Sequence, residues 1–139
     1  MDFVGAKAAL VCHGRILTYL RDDFDGLPWR NLWDLPGGGR EGVETPEACL
    51  LREVHEEFGL VLPPDRLIWR RVWPSMMDHA RLSVFFAGQI TRAEVAAIRF
   101  GDEGQRWEMM PVAVLLAHAQ AVPEMQRRAA VALAELGLG

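Results

Sequence analysis

The stretch that decides the fold runs from Gly38 to Leu60 and reads GGREGVETPEACLLREVHEEFGL. Most of it predicts one amphipathic helix. Thr45 is a suitable N-cap residue, and Pro46 suits the first helical position because its missing N–H is not needed there. Gly59 stands where a helix commonly ends in a left-handed residue. The sequence therefore predicts a helix that begins after Thr45 and ends at Gly59.

The predicted helix has an apolar side and an acidic side. At about 100° per residue, Leu51, Val54 and Phe58 share one face. Three carboxylates lie close together on roughly the opposite side: Glu53, Glu56 and Glu57. Carboxylates at this density repel one another, and a divalent cation removes that repulsion. Hard oxygen ligands favour Mg²⁺, with Mn²⁺ as a substitute, over zinc.

The spacing of these residues resembles the signature of the Nudix hydrolases, G-x5-E-x7-R-E-U-x-E-E-x-G-U, where U is a bulky aliphatic residue. The positions that match are Gly38, Glu44, Arg52, Glu53, Val54, Glu56, Glu57, Gly59 and Leu60. The resemblance implies an α/β fold, a Nudix-type α/β/α sandwich with a mixed β-sheet, and we expect one domain over residues 1–139. The alternative, a solvated acidic helix face, would leave the glycines, Arg52 and Glu44 unexplained.

The resemblance also implies roles for individual residues. The implied metal ligands are the Gly37 carbonyl and the carboxylates of Glu53, Glu56 and Glu57. Arg52 would orient a catalytic glutamate, and Glu44 would support the loop before the helix. The implied reaction is hydrolysis of a nucleoside diphosphate linked to another group, in which water attacks a phosphorus of the pyrophosphate bridge.

A second segment, 101–107, reads GDEGQRW and resembles the corresponding stretch of MutT-type enzymes. In those enzymes a glutamate reaches the metal centre from a separate loop and acts as a metal ligand or as the general base. The matching residue here is Glu103, so Glu103 and Glu53 are alternative candidates for the base. The other interpretation is an ordinary acidic turn in which Asp102 and Glu103 are solvated.

Three residues are candidates for substrate binding. Arg21 lies where a MutT-like enzyme has an arginine that contacts nucleotide phosphate. Trp33 precedes the glycine run, where an aromatic side chain can stack on a base. Phe85 lies on a predicted strand that can face the same cleft. Each has an alternative as an ordinary core or surface residue, and Trp29, in a polar loop, is expected to cover something.

The leading functional hypothesis is Mg²⁺-dependent hydrolysis of a (d)NTP by a MutT-like pyrophosphohydrolase. The stretch 120–123 reads QAVP and lacks the asparagine with which such enzymes recognise oxidised guanine, so that specificity is not indicated. Pro74 lies close to a proline position associated with ADP-ribose hydrolases, which makes an ADP-ribose or ADP-sugar pyrophosphatase the alternative. A non-catalytic nucleotide sensor and an isomerase of the same fold are further alternatives, although sensors usually lose carboxylates that this chain retains.

Composition limits the partners of the protein. Of its 139 residues, 50% are hydrophobic and five are tryptophan, so the chain can form a packed core. A formal charge of −4 argues against non-specific nucleic-acid binding, whereas a small polyanionic nucleotide can bind through metal ions. Without an apolar run of about 20 residues or a signal-like N-terminus, no membrane association and a cytoplasmic location are expected.

The remaining segments predict strands around the central helix, with helices at the end of the chain. We expect a β-hairpin over residues 3–20 with its turn near Gly14, a loop over 21–31 and a short strand over 32–36 that ends at the glycines. Further strands are predicted at 66–73, 81–90 and 107–110, and helices at 91–98, 111–118 and 123–136. Cys12 and Cys49 are expected to be reduced buried thiols. The apolar stripe of the last helix favours a core position, and a homodimer is left open.

Overall fold

The computed structural model describes residues 1–138, so Gly139, the last residue of the predicted domain, lies outside the described residues. This part of the chain contains one sheet of seven strands. The strands are β1 (Gly5–Cys12), β2 (Arg15–Leu20), β3 (Trp33–Asp34), β4 (Gly37–Gly39), β5 (Leu67–Pro74), β6 (Leu82–Gln89) and β7 (Arg106–Pro111). The helices are α1 (Pro46–Phe58), α2 (Arg92–Ala96), α3 (Val112–Ala117) and α4 (Pro123–Leu136), with a 3₁₀ turn at Pro64–Arg66.

The sheet is mixed. Its strands follow the order β3-β2-β1-β6-β5, while β4 pairs with β1 and β7 pairs with β2. Strands β1 and β6 run parallel, and the other neighbours run antiparallel. Helix α1 packs on one face of the sheet, and α3 and α4 pack on the other. The predicted α/β/α sandwich with a mixed sheet is confirmed.

Alternating side chains on β1 separate the two halves of the core, because successive strand residues point to opposite faces. Ala8 and Leu10 pack with Val54 and Phe58 of α1. Ala9 belongs to the cluster on the other face. That cluster includes the apolar stripe of α4, which is formed by Met125, Ala129, Ala132, Leu133 and Leu136. The stripe is therefore part of the core, as predicted.

Helix α1 begins and ends where the sequence predicts. The Thr45 hydroxyl accepts a hydrogen bond from the Ala48 N–H at 3.1 Å, and Pro46 is the first helical residue. Gly59 adopts the left-handed conformation with φ of 68°, and its N–H donates to the His55 carbonyl. These caps fix the length of the helix that carries Glu53, Glu56 and Glu57, and so fix where those carboxylates lie along the sheet.

The glycine run is a strand of its own rather than the end of the preceding one, which corrects the sequence-based expectation. Strand β4 pairs antiparallel with β1, with Gly37 opposite Lys7 and Gly39 opposite Gly5. Gly37 has φ of 128°, and a Cβ atom there would lie 2.1 Å from the Ala6 carbonyl oxygen. Only glycine allows this approach of the two backbones, because every other side chain begins with a Cβ.

No helix within residues 1–138 combines the length and the apolar character that crossing a membrane requires. The cytoplasmic location stays a prediction. Cys12 and Cys49 are both buried and both free thiols, as the sequence predicts. Burial raises the pKa of the Cys49 thiol to about 11, so this group is protonated and has little nucleophilic character at neutral pH.

The β1–β4 contact generates a stability prediction. We expect Gly37→Ala to lower the free energy of unfolding by about 3 kcal/mol, because it combines overpacking against backbone with a φ that L-residues avoid. Gly39→Ala is the matched control, since its Cβ would meet nothing closer than the Val4 carbonyl oxygen at 4.0 Å. Urea denaturation of both variants provides the measurement. Equal loss of stability in the two variants would contradict this account of β4.

Candidate active site

Glu57 is the buried member of the acidic group on α1. Its side chain is turned towards β4, and the residue is only 7% exposed. Its carboxylate accepts a hydrogen bond from the Gly37 N–H at 3.0 Å, while its backbone carbonyl accepts one from the Gly101 N–H at 2.9 Å. The sequence placed Glu57 on the polar side of the helix, and that side is covered here because β4 packs against α1.

Glu53 lies against the middle glycine of β4. A Cβ atom on Gly38 would come within 2.7 Å of the Glu53 carboxylate, so the absence of a side chain at position 38 provides the space that this carboxylate occupies. Glu53 is half-buried, whereas Glu56 is exposed at the surface of the helix. The glycine strand therefore defines the environment of two carboxylates, Glu53 and Glu57, in different ways.

Arg52 holds the remaining carboxylates in place. Its Nη1 atom donates to Glu53 and to Glu56, both at 3.0 Å. Its Nε and Nη2 atoms donate to the two oxygens of Glu44 at 2.7 and 3.2 Å, and Nη2 also donates to the Gly39 carbonyl at 2.8 Å. The guanidinium group thus links α1 to the loop before it and to β4, an arrangement that a planar fork of donors favours.

Electrostatics favour a cation at this end of α1. Burial, together with the negative charge of Glu53, raises the pKa of Glu57 to about 8, against the opposing effects of Lys7 and of the Gly37 N–H. Burial also raises the pKa of Glu53, although the hydrogen bond from Arg52 opposes the shift. Two carboxyl groups that resist ionisation side by side are stabilised as anions when a cation binds between them.

The donor set fits a hard divalent cation. Carboxylates at positions i, i+3 and i+4 of one helix offer the oxygen ligands that Mg²⁺ and Mn²⁺ prefer. Within residues 1–138, no three histidine, cysteine or carboxylate side chains already converge on a metal position. Arg52 holds Glu53 and Glu56, and Gly37 holds Glu57. Metal binding therefore requires the side chains of α1 to rearrange, and the four ligands implied by the sequence, which are Gly37, Glu53, Glu56 and Glu57, stay a proposal.

A cleft opens beside β4 on the side away from α1. Its cavity has a volume of about 310 Å³. Residues of several separate elements line it, among them Lys7, Arg21, Trp29, Gly38, Met76 and Arg128. The cleft therefore combines a glycine wall, three cationic side chains and apolar surface from Trp29 and Met76.

Two of the cationic side chains share one buried carboxylate. Lys7 Nζ donates to Asp34 Oδ2 at 3.1 Å, to the Leu35 carbonyl at 3.0 Å and to the Tyr19 hydroxyl at 3.2 Å. Arg21 Nη1 donates to the same Oδ2 atom at 3.0 Å. Burial lowers the pKa of Lys7, but Asp34, Tyr19 and Glu57 together outweigh this effect and the net pKa is raised. Lys7 therefore carries its charge at the cleft.

Arg21, one of the predicted substrate-binding residues, lies at the cleft together with Lys7 and Asp34, which were not predicted. Arg21 lines the cleft, and its role in binding phosphate stays a prediction. A signal for Lys7 was present, because a charged residue inside the apolar stretch of β1 is unusual and needs a partner. Asp34 gave a weaker signal, since an aspartate next to a short strand is equally typical of a turn.

The structure does not place the other two predicted substrate-binding residues at the cleft. Phe85 is fully buried on the α4 side of the sheet, where its ring packs edge-on against Trp73. Trp33 is 6% exposed, and the Arg106 guanidinium covers its ring at 4.9 Å. Both residues belong to the core because their strand positions point to the α4 face. Trp29, which the sequence analysis expected to cover something, does line the cleft and is 41% exposed.

Glu103 lies in the exposed loop between α2 and β7. The hydrogen bond from Gly101 to the Glu57 carbonyl attaches this loop to the end of α1. With Arg21 and Tyr19, Glu103 lines a separate cavity of about 340 Å³, so it stands on the other side of Arg21 from the cleft. The proposed role of Glu103 as metal ligand or base therefore requires the loop or the side chain to move towards α1.

A family model described as NUDIX domain matches residues 6–131. The RNA pyrophosphohydrolase of Brucella ovis is 41% identical over 54 residues, which make up 39% of this chain and 29% of that protein. The chain thus spans less than a third of the length of the curated relatives that it matches.

Solved structures share the fold. A bifunctional NMN adenylyltransferase/ADP ribose pyrophosphatase from Francisella tularensis, complexed with AMP and a Mn ion, superimposes with a TM-score of 0.71 at 19% identity, over 98% of this chain and 42% of that one. A MutT NUDIX hydrolase from Burkholderia pseudomallei superimposes with a TM-score of 0.66 at 22% identity, over 91% of this chain and 95% of that one. Similarity at this identity establishes the architecture and leaves the substrate open.

The site predicts a strong effect for one conservative substitution. We expect Glu57→Gln to lower kcat of Mg²⁺-dependent hydrolysis by at least about 10²-fold, because a neutral amide is a poor ligand for a hard cation. The fold should survive, since the amide oxygen can still accept from the Gly37 N–H. Glu47→Gln is the matched control: Glu47 lies on the same helix but pairs with Arg70. Near-normal turnover of folded Glu57→Gln would exclude Glu57 from the metal site.

Proposed function

The chain belongs to the NUDIX family, and we propose that it is a divalent-metal-dependent pyrophosphohydrolase that cleaves a nucleoside triphosphate. Membership confirms the sequence-based identification of a Nudix hydrolase. The observation that carries the proposal is the position of β4 between two groups of opposite charge. On one side lie the carboxylates of α1, and on the other lies the cleft with Lys7 and Arg21.

Within this proposal the residues of α1 hold the metal and the attacking water. Glu53, Glu56 and Glu57, with the Gly37 carbonyl, are the proposed ligands. A metal bound there supplies neutralisation of charge on phosphate oxygens and acidifies a water molecule. Glu53 is the proposed proton acceptor, because it lies beside Gly38 at the boundary between α1 and the cleft. Glu103 is the alternative base and occupies the neighbouring cavity.

Arg52 has a positioning role in this reaction. In the structure it fixes Glu53 and Glu56 by hydrogen bonds, and Glu44 in turn fixes Arg52. When Glu53 and Glu56 rotate to other partners, the paired hydrogen bonds to Glu44 keep the guanidinium at the same place. Its positive charge then continues to stabilise the carboxylates as anions, which is the form that binds a metal or accepts a proton.

The cleft matches the two chemical halves of a nucleotide. Lys7 and Arg21 provide positive charge next to β4, where the phosphates would lie. Trp29, which is exposed, and the partly buried Met76 provide apolar surface in the same cavity, where a base can be packed. A flat aromatic side chain of this kind binds any nucleobase, because every base offers a π-face. The cleft therefore favours a nucleotide substrate over a simple polyphosphate.

Trp29 supplies a test of this assignment. We expect Trp29→Ala to raise KM for the nucleotide by about tenfold, since base stacking on an aromatic ring contributes about 1–3 kcal/mol. Trp29→Phe should restore most of the affinity because it retains a flat ring. Both variants keep a Cβ at this left-handed position (φ of 56°), so backbone strain is equal in the two. Identical KM values for Ala and Phe would show that the ring does not contact the base.

The substrate itself is identified by release of phosphate, pyrophosphate or AMP across a panel with Mg²⁺. The panel contains common and oxidised (d)NTPs, ADP-ribose, nucleotide sugars and dinucleoside polyphosphates. Pyrophosphate release from a triphosphate is the expected result, whereas AMP from ADP-ribose would favour the alternative, an ADP-sugar pyrophosphatase. RNA with a 5′-triphosphate belongs in the panel because the Brucella relative is named for RNA. Metal binding without any turnover would instead favour a nucleotide sensor.

A further inference from the structure

Lys7 is the only lysine in a sequence whose other basic residues, histidines aside, are all arginine. It lies on β1 between Ala6 and Ala8, both buried, and opposite Gly37 of β4. Its side chain is 22% exposed, and the exposed part faces the cleft. Placing an ammonium group in the interior of a sheet costs free energy unless it is paired. Lys7 therefore needs a partner of opposite charge at this position.

Asp34 is that partner, and it serves two cations at once. It is 3% exposed. One oxygen accepts from Lys7 and from Arg21, and it also accepts from the Tyr19 hydroxyl at 3.3 Å. The other oxygen accepts from the Leu35 N–H at 2.7 Å, which fixes the plane of the carboxylate. One buried negative charge thus orients two positive charges and leaves a net positive charge at the wall of the cleft.

We propose that Lys7 is a phosphate-binding residue of the cleft and that Asp34 is the positioning residue that holds Lys7 and Arg21 towards the substrate. The inference rests on the proposed function, and it identifies which charges in that site recognise the anion. The Lys7 Nζ atom has three acceptors, of which the neutral Tyr19 hydroxyl is the most distant at 3.2 Å. An anionic phosphate oxygen is a stronger acceptor and replaces this hydroxyl.

Arg21 completes the arrangement. Its Nη1 atom is held by Asp34 and its Nε atom donates to the Pro28 carbonyl at 3.1 Å. These two bonds fix the plane of the guanidinium and leave its remaining N–H donors for a ligand in the cavities that Arg21 lines. Lys7 and Arg21 therefore present two preorganised donors, both held by the same Asp34 oxygen, so that little side-chain entropy is lost when a ligand binds.

Binding of α,β-methylene-ATP with Mg²⁺, measured by calorimetry, tests the role of Lys7. This probe carries the triphosphate charge but resists cleavage at the α–β bridge. We expect Lys7→Met to weaken its binding by at least about tenfold, because a charge-assisted hydrogen bond is lost, while Lys7→Arg retains most of the affinity. Arg15→Met is the matched control: it removes one positive charge at the exposed start of β2, outside the cleft, and should bind as the wild type does.

A spectroscopic measurement on the wild type is independent of any variant. Protein labelled with ¹³C-lysine gives a single lysine ε-CH₂ signal, because Lys7 is the only lysine. We expect α,β-methylene-ATP to shift this signal and adenosine, which lacks phosphate, to leave it unchanged. In Asp34→Asn the signal should move towards that of free lysine, and KM should rise more than kcat falls. The second effect separates a positioning role from a merely structural one.

The outcomes distinguish the two proposals. If the wild type hydrolyses a nucleotide but Lys7→Met binds α,β-methylene-ATP with unchanged affinity, the inference about Lys7 is wrong and the proposed function stands. An unmoved lysine signal at saturating α,β-methylene-ATP has the same meaning. If the wild type neither binds α,β-methylene-ATP nor hydrolyses any member of the panel, the proposed function is wrong and the inference falls with it. Should Asp34→Asn fail to fold, Lys7→Met and the wild-type signal decide the question.

Discussion

The pairing of β4 with β1 is the contact on which the rest of the site depends. Three consecutive glycines allow the two backbones to approach until a Cβ at Gly37 would be 2.1 Å from the Ala6 carbonyl oxygen. This approach places the Gly37 N–H where the buried Glu57 carboxylate can accept it. It also places Gly38 against Glu53 and forms one wall of the cleft. A single backbone constraint thus aligns the acidic helix with the cleft on the other side of β4.

The carboxylates of α1 differ in how deeply they are buried, and deeper burial makes the ionised form less favourable. Glu56 is exposed and Glu53 is half-buried, whereas Glu57 is buried and has a pKa raised to about 8 by that burial. An isolated buried anion is unfavourable, and here one backbone N–H and the nearby Lys7 only partly offset that cost. Arg52 stabilises the two outer carboxylates and leaves Glu57 to the glycine strand. Ionisation of the buried carboxylates on α1 is therefore electrostatically unfavourable in the protein alone, and binding of a cation would remove this unfavourable energy.

The sequence predicted the elements whose signals are local. The caps of α1 and the hairpin turn beside Gly14 depend on residues close together in the chain, and both are present. The contact between Arg52 and Glu56 was also predictable, because it spans one helical turn. These features needed no knowledge of how the strands are arranged.

The errors arose where the sheet arrangement decides the outcome. Alternation along a strand shows that Phe85 faces one side of the sheet, the side that its neighbour Lys7 also faces, but only the tertiary packing reveals that α4 and Trp73 cover Phe85 there, so that it does not line the cleft. Trp33 was misassigned for the same reason. Lys7 and Asp34 are 27 residues apart along the chain. They meet because the sheet order β3-β2-β1 brings the ends of β1 and β3 close together. A single sequence shows such long-range pairs as isolated charged residues.

The distribution of charge, more than its total, explains how an acidic protein can accept a polyanion. The formal charge of −4 would repel a triphosphate if it were spread evenly over the surface. The structure instead concentrates three carboxylates at one end of α1, where a bound cation reverses their effect, and gathers Lys7 and Arg21 around one aspartate on the other side of β4. Under the proposed function, a phosphate chain that crosses the glycine strand would meet positive charge at both ends. Because Asp34 is buried and its oxygens are already occupied, it orients the two cations while presenting little negative charge of its own to the substrate.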